Sequence, residues 1–287
     1  MNVDAFLARR AERTERALAD YVDAWQGVPD ALREAMRYSL FAGGKRFRPA
    51  LALGAAEIVS GNDDVALPAA CAIEMIHTYS LIHDDLPAMD NDDLRRGKPT
   101  LHKVYGEALA ILAGDALLTM AFDMLTRTKD LRVIREVAQA AGVTGMAGGQ
   151  VLDLESEGRE ISLDELRRMH ECKTGALIRV SVRSGAMLAG AREDQLAALT
   201  RFGEHLGLAF QIADDILDVV GTEATLGKPI GSDANKHKST YPALVGLDRA
   251  RDLADEAMRS AVDALNAFGP EADDFRALAR FVVERQR

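Results

Sequence analysis

The sequence predicts an all-α fold. Little of it alternates with the period of two that a half-buried strand needs, apolar residues recur at spacings of three and four, and Ala, Leu, Arg and Glu dominate. Leu196, Leu199, Phe202, Leu206 and Ala209 form one such stripe, and Val262, Leu265 and, past a Gly-Pro turn, Phe275, Leu278 and Val282 form another. The expected helices are 3–21, 31–43, 48–60, 65–87, 105–127, 131–148, 163–189, 193–220, 241–266 and 271–285.

The boundaries carry turn chemistry. Gly27-Val28-Pro29-Asp30 supplies a loop and an N-cap between the first two helices, and Gly43-Gly44 closes the second. Ser60-Gly61-Asn62-Asp63 ends the third helix and caps the fourth. In the fifth, Gly114-Asp115 interrupts the apolar run Ala108–Phe122. Ser162-x-x-Glu165 reads as a capping box for the seventh, which Lys173-Thr174-Gly175 interrupts. Residues Gly221 to Ser239 form the longest stretch without helical period, with Gly221, Gly227, Pro229, Gly231 and three lysines. The interior helices are apolar on most faces, which predicts a buried centre wrapped by other helices.

The chain has 287 residues, 48% of them hydrophobic, with 35 Lys+Arg against 45 Asp+Glu and a formal net charge of −10. Length allows roughly two average domains or one large one. With no linker-like tract, the expectation is a single domain over 1–287. The acidic balance argues against general nucleic-acid binding, which needs a basic face for phosphates. No segment reaches the uncharged apolar length of a membrane span, and the N-terminus, with Asp4, Arg9, Arg10 and Glu12, has no apolar signal core. Cys71 and Cys172 make neither a CxxC nor a zinc spacing. The expectation is a cytoplasmic protein with free thiols.

Two aspartate groups carry the strongest chemical signal. Asp84-Asp85-Leu86-Pro87-Ala88-Met89-Asp90 ends one apolar helix, and Asp214-Asp215-Ile216-Leu217-Asp218 lies inside another. Asp214 and Asp218 are about 40° apart on a helix, with Gln211 one turn earlier. Like charges at this spacing repel, and burial adds a desolvation cost. A divalent cation removes both penalties, and oxygen-only ligands point to Mg²⁺ rather than zinc. Asp84 and Asp90, six residues apart, converge only if the helix ends or bulges between them, and Pro87 supplies the break. His77, two turns before Asp84, lies on the same face. A lone Asp-Asp pair is ordinarily a solvated face, which is how Asp92-Asp93 reads. Two such groups in apolar helices are not.

Cations recur beside glycine and proline. Gly43-Gly44-Lys45-Arg46-Phe47-Arg48-Pro49, Arg95-Arg96-Gly97-Lys98-Pro99, Lys173-Thr174-Gly175, Lys228 and Lys238 supply the Arg forks and Lys point charges that diphosphate oxygens require. Carboxylates for Mg²⁺ and cations for phosphate oxygens together make a protein–metal–diphosphate bridge. The Gly-Gly-Lys is not a Walker loop, whose frame is absent.

Together, Gly-Gly-Lys-x-x-Arg-Pro, Leu-Ile-His-Asp-Asp-Leu-Pro-Ala-Met-Asp, Asp-Leu-Arg-Arg-Gly, Lys-Thr, Gly-Gln-x-x-Asp, Phe-Gln-x-x-Asp-Asp-Ile-Leu-Asp and Lys-Ser-Thr-Tyr-Pro resemble the isoprenyl diphosphate synthases, and most closely the bacterial farnesyl diphosphate synthases, from about residue 35 to the end. The resemblance implies a helical bundle around a central cavity, usually homodimeric. It implies head-to-tail condensation of dimethylallyl or geranyl diphosphate with isopentenyl diphosphate, using three Mg²⁺, or Mn²⁺ in their place. By the same resemblance, Asp84 and Asp90, with Asp85 nearby, hold two ions. Asp214 holds the third, supported by Asp215 and Asp218. Arg95, Lys173, Lys238 and Lys228 grip the allylic diphosphate, and Lys45, Arg48, His77 and Arg96 hold isopentenyl diphosphate. Thr174 and Gln211 turn oxygens toward the allylic cation, and Gln150 and Asp153 support. The released diphosphate is the family's usual proton acceptor.

Tyr79 and Ser80, five and four residues before Asp84, lie about one turn deeper than the metals. In the family an aromatic residue here marks bacterial farnesyl synthases. Refusing another five-carbon unit must offset about 4 kcal/mol of burial, at roughly 0.8 per carbon, which a steric floor can do. The four-residue spacing of the first motif is shared with plant-type geranylgeranyl synthases, so a C20 product is the alternative. A non-catalytic partner subunit is a different class, and such subunits typically lose an aspartate group. Both groups are intact here. A terpene cyclase would replace the second aspartate group, and a His-Asp phosphohydrolase needs more than the six His present.

Overall fold

In the computed structural model, which describes residues 2–220 and 239–284, the chain runs through α1 (Val3–Ala24), α2 (Asp30–Leu40), α3 (Phe47–Ser60), α4 (Leu67–Asp84), a two-stranded antiparallel ribbon of β1 (Leu94–Arg95) and β2 (Lys98–Pro99), α5 (Leu101–Tyr105), α6 (Glu107–Thr126), α7 (Leu131–Ala141), α8 (Met146–Ser156), α9 (Leu163–His170), a π-helical turn (Glu171–Gly175), α10 (Ala176–Leu188), α11 (Glu193–Val220), α12 (Tyr241–Val245), α13 (Leu247–Ala264) and α14 (Asp273–Glu284). The all-α expectation holds.

The helices begin and end where local chemistry directs. The Asn2 side chain accepts the backbone N–H groups of Asp4 and Ala5 to cap α1. Gly61, at φ +71°, closes α3, and Asn62 accepts from Asp64 N at the next start. The capping box at Ser162–Glu165 forms in both directions. One cap differs: Pro29 occupies the N-cap of α2 with no side-chain bond, and Asp30 sits in the first turn, where its charge favours the helix dipole instead.

Other differences have physical causes. The expected helix 131–148 breaks at Gly142, and α8 follows in a stretch whose Gly148-Gly149 reads as a breaker. The expected helix 163–189 is split by the π turn, and 241–266 by Gly246. The ribbon and α5 are too short to carry a period. By the looser criterion of length and mean hydropathy with up to two charges, Asp64–Asp84 and α6 are each apolar enough to cross a membrane. The first is mostly buried inside the bundle, while α6 buries less than half of its apolar stretch and leaves Ile111 and Leu112 exposed.

One core cluster joins α1, α2, α4, α6, α7 and α10 around Ile73, Ile76, Leu117 and Leu177. A second joins α1, α3, α10, α11, α13 and α14 around Leu51, Phe202 and Phe275, whose last two rings stack at 4.8 Å. A third lies among α9, α11, α12 and α13. Helix α10 contributes to the first two, and its approach to α3 is close: a Cβ on Gly185 would lie 1.9 Å from the Ala52 carbonyl oxygen. Gly185→Ala is therefore expected to cost about 2–3 kcal/mol and lower Tm by roughly 3–5 °C. An unchanged melting curve would show that α3 and α10 separate freely.

Candidate active site

The first aspartate group folds back on itself. Helix α4 ends at Asp84, Pro87 follows, and the Asp90 N–H donates to the Asp84 carbonyl (2.8 Å) while Met89 and Asn91 donate to Leu86 (2.9 and 3.1 Å). Asn91 takes up φ +52° to close the turn. Asp84 and Asp90 are thereby neighbours, as the Pro87 break predicts. Asp85 points elsewhere. It is 3% exposed, and Arg95 grips it in a fork, Nε to both carboxylate oxygens (2.8 and 2.9 Å) and Nη2 to Oδ1 (2.5 Å). The ribbon thus carries Arg95 against the motif.

Burial drives the Asp84 carboxyl up to about 6, with the like charges of Asp90 and Asp85 adding to it and the Lys173 and Arg95 charges opposing it. The same causes identify Lys173 as a neighbour of Asp84. Lys173 projects from the π turn and donates to Asp153 Oδ2 (2.5 Å). Asp153 is buried on α8, and α8 reaches the turn because Gly149 has no side chain: a Cβ there would lie 2.2 Å from Lys173 N. Gln150 sits half-buried beside it. The Gly-Gln-x-x-Asp run is therefore the cradle of the Lys173 turn, with Thr174 next along it. On its other side the turn meets α11, where a Cβ on Gly207 would lie 3.0 Å from Gly175 Cα.

One turn after Gly207, Gln211 Nε2 donates to Asp215 Oδ1 (3.1 Å), and Asp215 Oδ2 accepts from the Tyr241 backbone (3.0 Å). Asp215 and Asp218 are each 3% exposed, and Asp214 is half-buried. Asp215 holds the start of α12 rather than facing outward. In the second motif, as in the first, a carboxylate is engaged in holding its surroundings.

A cavity open to solvent lies beside α4 and is lined by Lys45, Arg46, Arg48, Glu74, His77, Arg96 and the rings of Phe47, Phe210 and Phe281. The four residues expected to bind isopentenyl diphosphate, from three separate segments, therefore share one cavity. Gly44 takes φ +125° and lets the Arg96 guanidinium lie within 2.6 Å of where a Cβ would stand, and Arg96 donates to the Gly43 carbonyl. Lys45 stands over the Phe281 ring at 4.6 Å. Burial lowers Arg48 to about 10, with Glu74 opposing. Burial and the charges of Arg48, Arg96, Arg95 and Arg46 hold His77 well below the ordinary imidazole range, so His77 is neutral at pH 7.

Tyr79 is half-buried at the edge of the first core cluster, with its ring edge-on to His83 at 5.7 Å. His83 lies on Gly114 of α6, its Nε2 3.1 Å from the Ile111 carbonyl. Ser80 donates to the His77 carbonyl (2.8 Å). Lys228 and Lys238 lie outside the described residues. Sequence reasoning missed Arg46 and Glu74, which are buried against each other in the cation cavity (2.9 Å). A Glu three residues before His77 on an otherwise apolar stretch was the available signal.

Among the described residues, no three His, Cys, Asp or Glu side chains could cage a metal ion. The donors come in carboxylate pairs, and an all-oxygen set of one or two carboxylates fits Mg²⁺ completed by water and substrate phosphates.

Residues 29–272 match the family model described as polyprenyl synthetase. The chain is 52% identical over 260 residues to a farnesyl diphosphate synthase of Geobacillus stearothermophilus, covering 88% of this chain and 87% of the relative. It is 46% identical to a geranylgeranyl diphosphate synthase of Cyanophora paradoxa, covering 99% and 97%. The solved structure of an FPP/GFPP synthase from Zymomonas mobilis superposes with a TM-score of 0.87 at 38% identity, covering 98% and 99%.

The raised Asp84 gives a stability test. Its folded-state carboxyl binds a proton more tightly than the unfolded one, so the metal-free fold gains stability as pH falls from above 6 toward 4. Asp84→Asn is expected to stabilise the metal-free protein at pH 8 by about 1–2 kcal/mol, allowing for the partly open site, which is a Tm rise of roughly 2–3 °C. The advantage should vanish near pH 4. A lower Tm at pH 8 would refute the account.

Proposed function

The chain belongs to the polyprenyl synthetase family, and we propose that it is a trans-prenyltransferase that joins dimethylallyl and then geranyl diphosphate to isopentenyl diphosphate, giving (2E,6E)-farnesyl diphosphate. The observation that carries this reading is the pairing of two unlike anion sites on α4. Lys45, Arg48, His77 and Arg96 gather in one cavity, and the adjoining end of the helix presents Asp84 and Asp90 beside Lys173. One diphosphate is met by cations and a neutral imidazole, and the other by carboxylates suited to bridging metal together with Lys173.

Asp84, Asp90, Asp214 and Asp218 would hold the Mg²⁺, three ions in this reading. When bound, the metal neutralises the departing diphosphate and lowers the barrier to C–O cleavage. Arg95 and Lys173, with Lys228 and Lys238, grip the allylic diphosphate. Asp85 and Asp153 fix the first two. Cleavage leaves the bonding pair on the diphosphate and a cation on the allylic carbon, and Thr174 and Gln211 turn oxygens toward that charge. The apolar surroundings keep water from quenching it. Lys45, Arg48 and Arg96 hold the second diphosphate while neutral His77 donates a hydrogen bond. The terminal alkene of that substrate then attacks, and a proton leaves to the released diphosphate. His77 is a poor acceptor, since burial and the charges of four arginines destabilise its protonated form.

Residues 1–287 act as one domain in this reading, which is supported by the shared contribution of α10 to two cores. The exposed Ile111 (44%) and Leu112 (57%) on α6 support a homodimer through that face. The site of action is the cytoplasm. A C20 product is the second reading, favoured by the similar identity to a geranylgeranyl diphosphate synthase.

Incubation with dimethylallyl diphosphate, labelled isopentenyl diphosphate and Mg²⁺, followed by dephosphorylation and separation of the alcohols, is expected to give mainly C15. A main C20 product selects the second reading, and no condensation sinks both. Tyr79→Ala is expected to move the product to C20 or longer. An unchanged profile would remove Tyr79 as the floor.

A further inference from the structure

Glu74 has the wrong charge for its place. It lies 3% exposed on α4, one turn before His77, and lines the cavity that also holds Lys45, Arg48 and Arg96. A carboxylate in a pocket for an anion opposes binding unless a cation outside the ligand's reach holds it. Arg46 is that cation. Its Nη1 donates to Glu74 Oε1 (2.9 Å), its Nη2 to the Leu40 carbonyl (2.7 Å) and its Nε to Glu15 Oε1 (3.0 Å), and Nη2 also ion-pairs with Glu15 Oε1 at 2.8 Å. Its side chain is 1% exposed, so it is committed to the scaffold and not to a ligand.

Arg46 also takes φ +47°, a left-handed conformation unfavourable for a side chain of its size, at the residue that opens α3. That turn sets the directions in which Lys45 and Arg48 leave the backbone. Arg48 has little else to aim it, because its Nε is buried with no hydrogen-bond partner among the described residues. We propose that Glu74 is the positioning residue of the isopentenyl diphosphate pocket, fixing through Arg46 the left-handed turn that directs Lys45 and Arg48 at the diphosphate. The inference rests on the functional reading above and adds to it a residue that binds neither substrate nor metal.

The test is steady-state kinetics with each substrate varied in turn. Glu74→Gln keeps the shape and an acceptor for Arg46 but removes the charge, and Arg46→Lys keeps the charge but loses the fork. In both, KM for isopentenyl diphosphate is expected to rise about tenfold while KM for geranyl diphosphate stays within about twofold. Should Glu74→Gln fail to fold, Arg46→Lys decides, together with Glu15→Gln at the part-exposed end of the same fork, where a smaller rise confined to isopentenyl diphosphate is expected. An unchanged KM for isopentenyl diphosphate in a folded variant overturns the proposal. So do equal rises in both KM values that follow the loss in Tm, since those mark a purely structural residue. A wild-type protein without turnover overturns the functional reading and this inference with it, whereas an active wild type with unchanged variants overturns this inference alone.

Discussion

Opposite charges held in a helical interior are the constraint on which this structure depends. An unpaired buried charge costs several kcal/mol, so each carboxylate or cation carried inward needs a partner or a ligand. The chain answers by dividing its charges. Asp85 holds Arg95, Asp153 holds Lys173, and Glu74 with Glu15 holds Arg46. Asp215 holds a backbone N–H and an amide. Asp84, beside Asp85, keeps a charge that the protein only partly offsets. The doubled aspartate at 84 and 85 is thus two residues with two tasks: Arg95 holds Asp85, while burial leaves the Asp84 carboxylate only partly offset.

Much of this was legible in the sequence. The two aspartate groups, the Pro87 break and the basic runs announce themselves because charge in apolar helices is rare enough to demand a reason. The interruption at Lys173-Thr174-Gly175 was visible as a lapse in helical period, and the structure gives it a form, a π turn. Helix α8 was not legible. Its Gly148-Gly149 reads as a breaker by propensity, whereas glycine at 149 is there to let two backbones meet. Propensity describes an isolated helix, and this contact is tertiary. Arg46 was hidden for a similar reason: in a run of Lys-Arg-Phe-Arg nothing local marks which cation turns inward. That is decided by Glu15 and Glu74, far away in sequence.

Backbone strain gathers around the same residues. Arg46, Asn91 and Arg96 all take positive φ, and each lies on a segment that delivers a charge to the site. Such conformations persist only where their surroundings over-determine them, and here the ion pairs and the loop bonds to Asp84, Leu86 and Gly43 do so. The apolar clusters hold the helices in place, but the direction of the charged side chains is set by these few turns.

The π turn has one more consequence, which concerns phase. An α-helix advances about 100° per residue, so one extra residue within a turn rotates everything after it by that angle relative to everything before. Ahead of the turn, Leu166 and Met169 belong to the cluster shared with α12 and α13, while beyond it Leu177 and Val180 join the cluster of α4 and α7, and Ile178 and Val182 lie against α11 in the cluster that includes α3. An unbroken α-helix would have kept a single seam along its length. The widened turn lets consecutive helices change neighbours midway, and Lys173 and Thr174 sit at the changeover. Removing one residue between 171 and 175 would restore regular α-helical geometry with the two halves still in register, and would lose the widened turn that carries Lys173 and Thr174.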